Sequence, residues 1–239
     1  MSASPFVTED AARRAVIDAC LRMNALGINH GKAGNVSVRW SRGAADGYLI
    51  TPSAVPYESL TEDDIVWLPL GAPAPAPAAG ELFESAPPPR RTPSTEWRMH
   101  RLLYERGDGP AAGAVVHAHS SHATTLACLP RVQQHGIPPF HYMIAVAGGH
   151  DIRCASYATF GSEELAAAIG PAIAGRNACL IANHGLLVCG ATLDAALALA
   201  VEVEALARMY WQALQLGEPV LLPAAEMDRV LEKFRDYGR

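Results

Sequence analysis

Two histidines placed two residues apart offer the clearest chance of chemistry in this sequence. His117 and His119 end the apolar run 114–116, which is typical of a buried strand. Since side chains two positions apart in a strand share one face, both imidazoles would project together. Two protonated imidazoles repel each other in a buried site, whereas a divalent cation takes both lone pairs. The spacing therefore predicts a metal site, with an ordinary pair of hydrogen-bonded histidines as the alternative.

His184 is a third candidate ligand. It follows the apolar run 178–182 and precedes Gly185, which permits a tight turn. Three protein ligands with one open position are the pattern of a catalytic zinc site, although nitrogen ligands also accept other divalent ions. His122 stands near the pair in sequence, but its place in a following helix gives it a different face, so we expect a structural role for it.

Glu96 and three short segments could act beside such a metal. Glu96 opens a helix, where a carboxylate either is stabilised by the helix dipole or moves a proton. Residues 33–37, 51–54 and 93–95 each combine small residues, hydroxyls and a turn or helix start. Their N–H and O–H donors can converge on an anion. One such segment is ordinary turn chemistry, whereas three together with a metal triad indicate an anionic ligand.

The composition excludes several classes of partner. The net charge is -5 and basic residues cluster no further than pairs, which argues against nucleic acid. Residues 1–16 lack the apolar core of a signal peptide, and no apolar stretch reaches membrane-spanning length. Five scattered cysteines without CxxC spacing suit buried thiols in the cytoplasm. Only two lysines are present, Lys32 and Lys233, and neither suits a Schiff-base mechanism.

The elements that must position these residues form a mixed pattern. Periodicity and caps predict helices over 8–26, 95–106, 121–129, 193–216 and 224–234, and strands over 36–40, 47–50, 65–68, 114–119, 178–182 and 186–189. Strands and helices alternate without a regular βαβ rhythm, so we expect an α/β fold with a central, mostly antiparallel or mixed sheet flanked by helices. Residues 1–239 form one domain in this prediction, with a Pro/Ala-rich surface loop at about 69–93.

The whole set of motifs resembles the class II aldolase/adducin-head family, and within it the members that act on L-fuculose 1-phosphate. The matching segments are GNVSVR (34–39), LITPS (49–53), VPYE (55–58), PSTEWR (93–98), HAH (117–119), HYMI (141–144), AGG (147–149), YATFG (157–161), NHGL (183–186), EKF (232–234) and YG (237–238). They cover nearly the whole chain, and only the loop at 69–93 looks inserted.

The resemblance implies a role for each matching residue. His117, His119 and His184 match the zinc ligands, and Glu96 matches the carboxylate that acts as acid and base on the enediol. Tyr142 matches a tyrosine that a neighbouring subunit contributes, and Tyr237 one that closes over the site. The segments that hold the substrate phosphate contain Gly34, Asn35, Thr51, Ser53, Ala54, Ser94 and Thr95. The family's enzyme is a ring-shaped homotetramer with its sites between subunits.

Ala54 departs from the family pattern, which usually has glycine at this position. Its extra methyl group lies where backbone would meet phosphate, so the shape of that cradle differs in detail. The loop at 69–93 is also longer than the family's.

The implied function is a zinc-dependent aldolase of carbohydrate metabolism. It would reversibly cleave a ketose 1-phosphate, either L-fuculose 1-phosphate or a 5-deoxy-pentulose or methylthioribulose 1-phosphate, to dihydroxyacetone phosphate and an aldehyde. Two alternatives stay open: a pentulose-5-phosphate 4-epimerase that shares the metal site, and a non-catalytic binding module like the adducin head. The residues quoted above do not name the aldehyde half of the substrate.

Overall fold

The structure is a computed structural model that describes residues 6–71, 91–109 and 112–236. Most of the predicted loop at 69–93, and Tyr237, lie outside the described residues. The helices are α1 (Glu9–Ala25), α2 (Trp97–Glu105), α3 (Ser121–Ala127), α4 (Pro130–His135), α5 (Glu163–Ile173), α6 (Leu193–Leu216) and α7 (Ala224–Asp236). The strands are β1 (Asn35–Arg39), β2 (Gly47–Ile50), β3 (Val66–Pro69), β4 (Ala114–Ala118), β5 (Cys154–Ala155), β6 (Ala178–Ile181) and β7 (Gly185–Gly190).

Side-chain caps define the starts of the long helices. Thr8 Oγ1 accepts a hydrogen bond from the Ala11 amide at 3.2 Å, and acids occupy the first turn of α1. Thr192 caps α6 in the same way through the Ala195 amide. Each cap satisfies one of the amides that a helix start leaves without an internal partner. The predicted bounds of α1 and α6 are therefore confirmed to within a residue.

The seven strands form one sheet in the order β3-β2-β1-β4-β7-β6-β5. Neighbouring strands are antiparallel except for β5 and β6, which are parallel. The predicted mixed sheet flanked by helices is confirmed. In the ladder between β1 and β4, Asn35 lies opposite His117.

The sheet separates two apolar cores, and strand alternation assigns side chains to them. Val116 packs with α1, α3 and α6 on one face, whereas its neighbour Val115 packs with α2 and α5 on the other. By the same alternation His117 lies on the face of Val115, towards α2. The candidate metal ligand His117 thus lies on the same side of the sheet as the helix that Glu96 opens.

The stretch between residues 130 and 173 contains elements that the spacing does not predict. These are α4, a 3₁₀ segment at Tyr142–Ala147, β5 and α5. Strand β5 has two residues, too few for a period, and α5 contains Gly170 and Pro171, which are unfavourable inside a helix. Among the described residues, no helix combines the length and the hydropathy that crossing a bilayer requires.

Candidate metal centre and active site

The three predicted metal ligands meet at one point at the end of the sheet. His117 is in β4, His119 lies one residue beyond its end, and His184 stands in the turn that joins β6 to β7. Their ring centroids are 4.8–4.9 Å apart. Within the described ranges they form the one group of three or more metal-binding side chains whose ligand atoms converge. We call these residues, with Glu96, the metal centre.

Gly185 allows the two sides of the metal centre to approach. A Cβ on this residue would lie 2.5 Å from the Ala118 carbonyl oxygen, and 3.2 and 3.3 Å from carbons of the His119 and His117 rings. Asn183, at φ 54°, takes the left-handed conformation that turns the chain before His184; asparagine tolerates it better than most residues. The close approach of this turn to the end of β4 therefore requires the short N-H-G sequence.

The protonation pattern of His117 suits a metal ligand. Its Nδ1 lies 2.8 Å from the Leu186 carbonyl oxygen, an acceptor, so Nδ1 carries the proton. The Nε2 lone pair then faces the centre, 3.0 Å from His119 Nε2. Burial lowers the pKa of His117 to about 4 and also lowers the pKa of His119. Neutral imidazoles with one nitrogen fixed by a carbonyl are the form in which histidine binds metal.

Glu96 completes the metal centre. Its Oε2 accepts a hydrogen bond from Asn35 Nδ2 at 2.8 Å and lies 3.4 Å from His117 Nε2. Its Oε1 lies 3.1 Å from His184 Nε2, yet it is buried and has no hydrogen-bond partner within the described chain. Burial raises the pKa of Glu96, but His117, His184 and Asn35 more than offset this and hold it well below its usual range. An unsatisfied buried carboxylate oxygen beside three lone pairs fits a bound cation.

The metal centre opens into a cavity of about 330 Å³ that is also lined by residues with N–H and O–H donors. We call these residues the donor cradle. It consists of Gly34, Asn35, Ser53, Ala54, Ser94 and Thr95. All six were predicted anion-binding positions, and the structure brings them together with Glu96, His119 and His184 around one space.

Hydrogen bonds between two loops hold the donor cradle. The Ser53 hydroxyl donates to the Pro93 carbonyl at 3.0 Å and accepts from the Thr95 amide at 3.1 Å. The Ser94 amide donates to the Thr51 carbonyl at 2.9 Å. Ala54 has a φ of 63°, a left-handed conformation that favours glycine. The departure noted in the sequence therefore coincides with local backbone strain.

Two of the other predicted site residues, Thr51 and Tyr142, do not line this cavity. Thr51 is buried, and its Oγ1 accepts from the Val36 amide at 3.3 Å. Tyr142 is half exposed in the 3₁₀ segment, where it packs near Phe234 of α7. Tyr237 is not among the described residues. His122, for which a structural role is predicted, lies 2.7 Å from Glu204 through Nδ1 and stays apart from the triad.

The cavity also contains residues to which the sequence assigned no role. Lys32 lines it and donates from Nζ to the Ala54 carbonyl at 2.8 Å. Tyr157 and Phe160, 62% and 66% exposed, stand at its mouth. The signals were present, since Lys32 is one of two lysines and precedes the 33–37 segment, and both aromatics belong to the YATFG motif. Neither signal by itself indicates a cavity.

Comparison with known proteins agrees with the geometry. The model of the class II aldolase and adducin N-terminal domain matches residues 14–211. A 5-methylthioribulose-1-phosphate/5-deoxyribulose-1-phosphate aldolase of Rhodospirillum rubrum is 49% identical over 95% of this chain and 93% of its own. An L-fuculose phosphate aldolase of Escherichia coli O6:H1 is 46% identical, with 94% of each chain covered. A solved L-fuculose 1-phosphate aldolase superposes with a TM-score of 0.77 at 37% identity, covering 94% of this chain and 96% of that one.

Proposed function

This chain belongs to the class II aldolase and adducin N-terminal domain family, and on that premise we propose that it cleaves a ketose 1-phosphate to dihydroxyacetone phosphate and an aldehyde. It is an aldolase, since relatives named for this activity align with it over 93% or more of each chain. The expectation of a non-catalytic binding module is thereby set aside. No feature of the cavity favours the 4-epimerase over the aldolase.

One observation carries the chemistry. Three imidazoles and one carboxylate converge at a cavity that is also lined by N–H and O–H donors. Such a cavity suits a small molecule in which a carbonyl and a phosphate lie a few bonds apart. A ketose 1-phosphate has this arrangement, with the carbonyl at C2 and the phosphate on C1.

His117, His119 and His184 would hold a divalent cation, zinc by preference. Three histidines with an open position are typical of catalytic zinc, although nickel, cobalt or manganese could bind the same nitrogens. When bound, the cation supplies Lewis-acid stabilisation of the negative charge that develops on the sugar oxygens.

Glu96 would move the proton at carbon. When the C3–C4 bond breaks, its electron pair stays with the C1–C3 fragment, and C3 must then gain a proton to give dihydroxyacetone phosphate. The Oε1 atom of Glu96 is free for this transfer because Asn35 engages only Oε2. In the synthetic direction the same oxygen removes that proton.

The donor cradle would bind the phosphate. Its backbone amides and hydroxyls provide hydrogen bonds, and Thr51 supports it from behind through the Ser94 amide. Lys32 adds a full positive charge near Ala54, where a dianionic phosphate would otherwise meet neutral donors and the charge of Glu96. Charge-assisted hydrogen bonds are about twice as strong as neutral ones.

Tyr142 of a second subunit would handle the proton of the C4 hydroxyl, which is released as the aldehyde forms. Within its own chain Tyr142 is exposed and does not line the cavity, which supports a contribution across an interface. We therefore propose a homo-oligomer, a tetramer with sites between subunits, in which Tyr237 closes over the substrate. The free, mostly buried cysteines support the cytoplasm as its location.

The aldehyde half of the sugar would lie at the mouth of the cavity. Tyr157 and Phe160 offer exposed aromatic surface there, which suits a methyl or methylthiomethyl group better than a polyhydroxylated chain. Both L-fuculose 1-phosphate and 5-deoxy-pentulose or methylthioribulose 1-phosphates end in such groups.

The test is a substrate panel with metal analysis. Purified protein with zinc is incubated with L-fuculose 1-phosphate, 5-deoxyribulose 1-phosphate, methylthioribulose 1-phosphate and ribulose 5-phosphate. Release of dihydroxyacetone phosphate is followed by coupled reduction with NADH. We expect release from at least one 1-phosphate, and none from any of them would overturn the proposal. A product that keeps all its carbons in one sugar would establish the epimerase instead.

A further inference from the structure

A chain of buried polar groups runs from Glu96 into the protein, away from the cavity. Beyond Asn35, His100 Nε2 lies 2.5 Å from Asn35 Oδ1. Ser37 Oγ lies 2.7 Å from His100 Nδ1 and 2.7 Å from the Tyr104 hydroxyl. All five residues are buried, and His100 is fully so. Burying a polar group costs free energy unless a hydrogen-bond partner replaces the water that the group loses.

The chain is built from one face of a strand and one face of a helix. Asn35 and Ser37 are two residues apart in β1 and so point to the same side of the sheet. Glu96, His100 and Tyr104 are four apart at the start of α2 and along it, and so share one side of the helix. Because these two faces pack together, five side chains alternate between strand and helix in a single line.

Elementary donor and acceptor rules assign every hydrogen in this line. The ionised carboxylate of Glu96 only accepts, so Asn35 must present its Nδ2 to it and turn Oδ1 towards His100. An amide oxygen also only accepts, so His100 Nε2 carries a proton. The order of contacts thus fixes the orientation of the Asn35 amide and one end of the imidazole.

The remaining hydrogens follow from the neutral state of His100. Burial lowers the pKa of His100 to about 3, so at neutral pH the ring carries one proton, on Nε2. Nδ1 must then accept from the Ser37 hydroxyl, and Ser37 Oγ in turn accepts from Tyr104. All donors in the line point towards Glu96 and none points back.

We propose that His100 is a positioning residue that acts through Asn35 to hold Glu96 with Oε2 engaged and Oε1 free. His100, Ser37 and Tyr104 do not line the cavity, so they cannot touch a substrate there. If His100 did not donate to Oδ1, that buried oxygen would be left without a partner, and the Asn35 amide could turn away from the carboxylate towards another donor. Glu96 would then lose its donor and rotate. The inference rests on the proposed role of Glu96 in proton transfer.

Two substitutions of His100 separate this role from simple packing. In His100→Gln, the amide nitrogen stands near the place of Nε2 and can still donate to Asn35. In His100→Asn, the shorter amide reaches the place of Nδ1 and loses the Asn35 contact. Both replace a fully buried imidazole by a smaller amide, so each serves as the matched control of the other.

The expected result is a split between the two variants. We expect kcat for dihydroxyacetone phosphate release to fall by about 10- to 100-fold in His100→Asn, as is usual for groups that orient metal-site residues, and by less than about threefold in His100→Gln. KM and the bound metal per chain should match wild type in both. Equal losses in the two variants, or no loss in His100→Asn, would overturn the proposal.

A second measurement does not depend on either variant folding. Long-range ¹H–¹⁵N spectra of wild-type protein labelled at its histidines report the tautomer of each ring. We expect a neutral His100 protonated on Nε2, and Nδ1 protonation would contradict the assigned direction of the line. If the wild type releases no dihydroxyacetone phosphate, the proposed function itself fails, whereas a Nδ1-protonated ring in an active enzyme removes only the role of His100.

Discussion

The metal centre and the donor cradle share one cavity but are held in different ways. Side chains build the metal centre: His117 is fully buried, its Nδ1 is fixed by a carbonyl, and Glu96 is fixed by Asn35. Backbone and hydroxyl contacts between two loops build the cradle, and Ala54 is strained within it. The first arrangement requires particular residue types, whereas the second requires a backbone shape. We therefore expect substitutions to abolish function at one end and to tune affinity or stability at the other.

The largest effect should come from removing a metal ligand. His184→Gln leaves two imidazoles, so we expect metal per chain to drop and activity to fall by more than about 100-fold, beyond the loss typical of outer groups around a metal. Elemental analysis and dihydroxyacetone phosphate release measure the two quantities. A variant that retains both would show that the metal centre is not essential, and would remove the contrast with the cradle.

Glu96→Gln should have the next largest effect. It keeps the size of the side chain and removes the proton carrier, so we expect kcat to fall by about 10²- to 10⁴-fold with KM little changed. Retained metal would separate this loss from that of a ligand variant. Glu218→Gln, in an exposed ion pair with Arg131, is the matched control and should behave as wild type. A Glu96→Gln enzyme with wild-type kcat would exclude Glu96 from proton transfer.

At the cradle, Lys32→Met should change KM and leave kcat unaltered. We expect KM for a ketose 1-phosphate to rise about tenfold, equivalent to ~1.4 kcal/mol, because one charged contact to phosphate is lost. Lys32→Arg should recover most of the affinity. The control is Arg22→Met, which removes a positive charge from an exposed pair with Asp194. A fall in kcat without a change in KM would place Lys32 with the metal centre instead.

The smallest effect should be one of stability at Ala54. Ala54→Gly removes the strain of a left-handed alanine, although glycine also adds entropy to the unfolded chain. We expect the first effect to prevail, so the free energy of unfolding should rise by up to ~1 kcal/mol. Ala33→Gly, at another alanine that lines the cavity but has no positive φ, should instead lower the free energy of unfolding by about 0.4–1 kcal/mol. Urea denaturation compares the two. If both substitutions lowered the free energy of unfolding, the cradle would carry no strain at Ala54.

The sequence predicts some residues of the site and not others. HxH spacing predicts two of the candidate metal ligands because strand alternation places both imidazoles on one face, whereas His184 in the NHG turn is assigned by the family resemblance. Lys32 and His100 were missed because their importance lies in contacts across 22 and 65 residues of sequence. No local period reports such contacts. Likewise β5 is too short to show a period, and Gly170 and Pro171 weaken the helical signal of α5, so both elements depend on tertiary packing.

The pairing of Asn35 with His117 has a consequence for how this site can change. Asn35 belongs to the donor cradle, His117 is a candidate metal ligand, and the ladder between β1 and β4 sets them side by side on strands about 4.8 Å apart. The strand register thus fixes the distance between these two residues, and side-chain substitution does not change it. Substitutions can change which groups bind at the mouth of the cavity, but a different spacing between the donor cradle and the metal centre would require a shift of strand register. A shift by one residue would turn the side chains of the shifted strand to the opposite face.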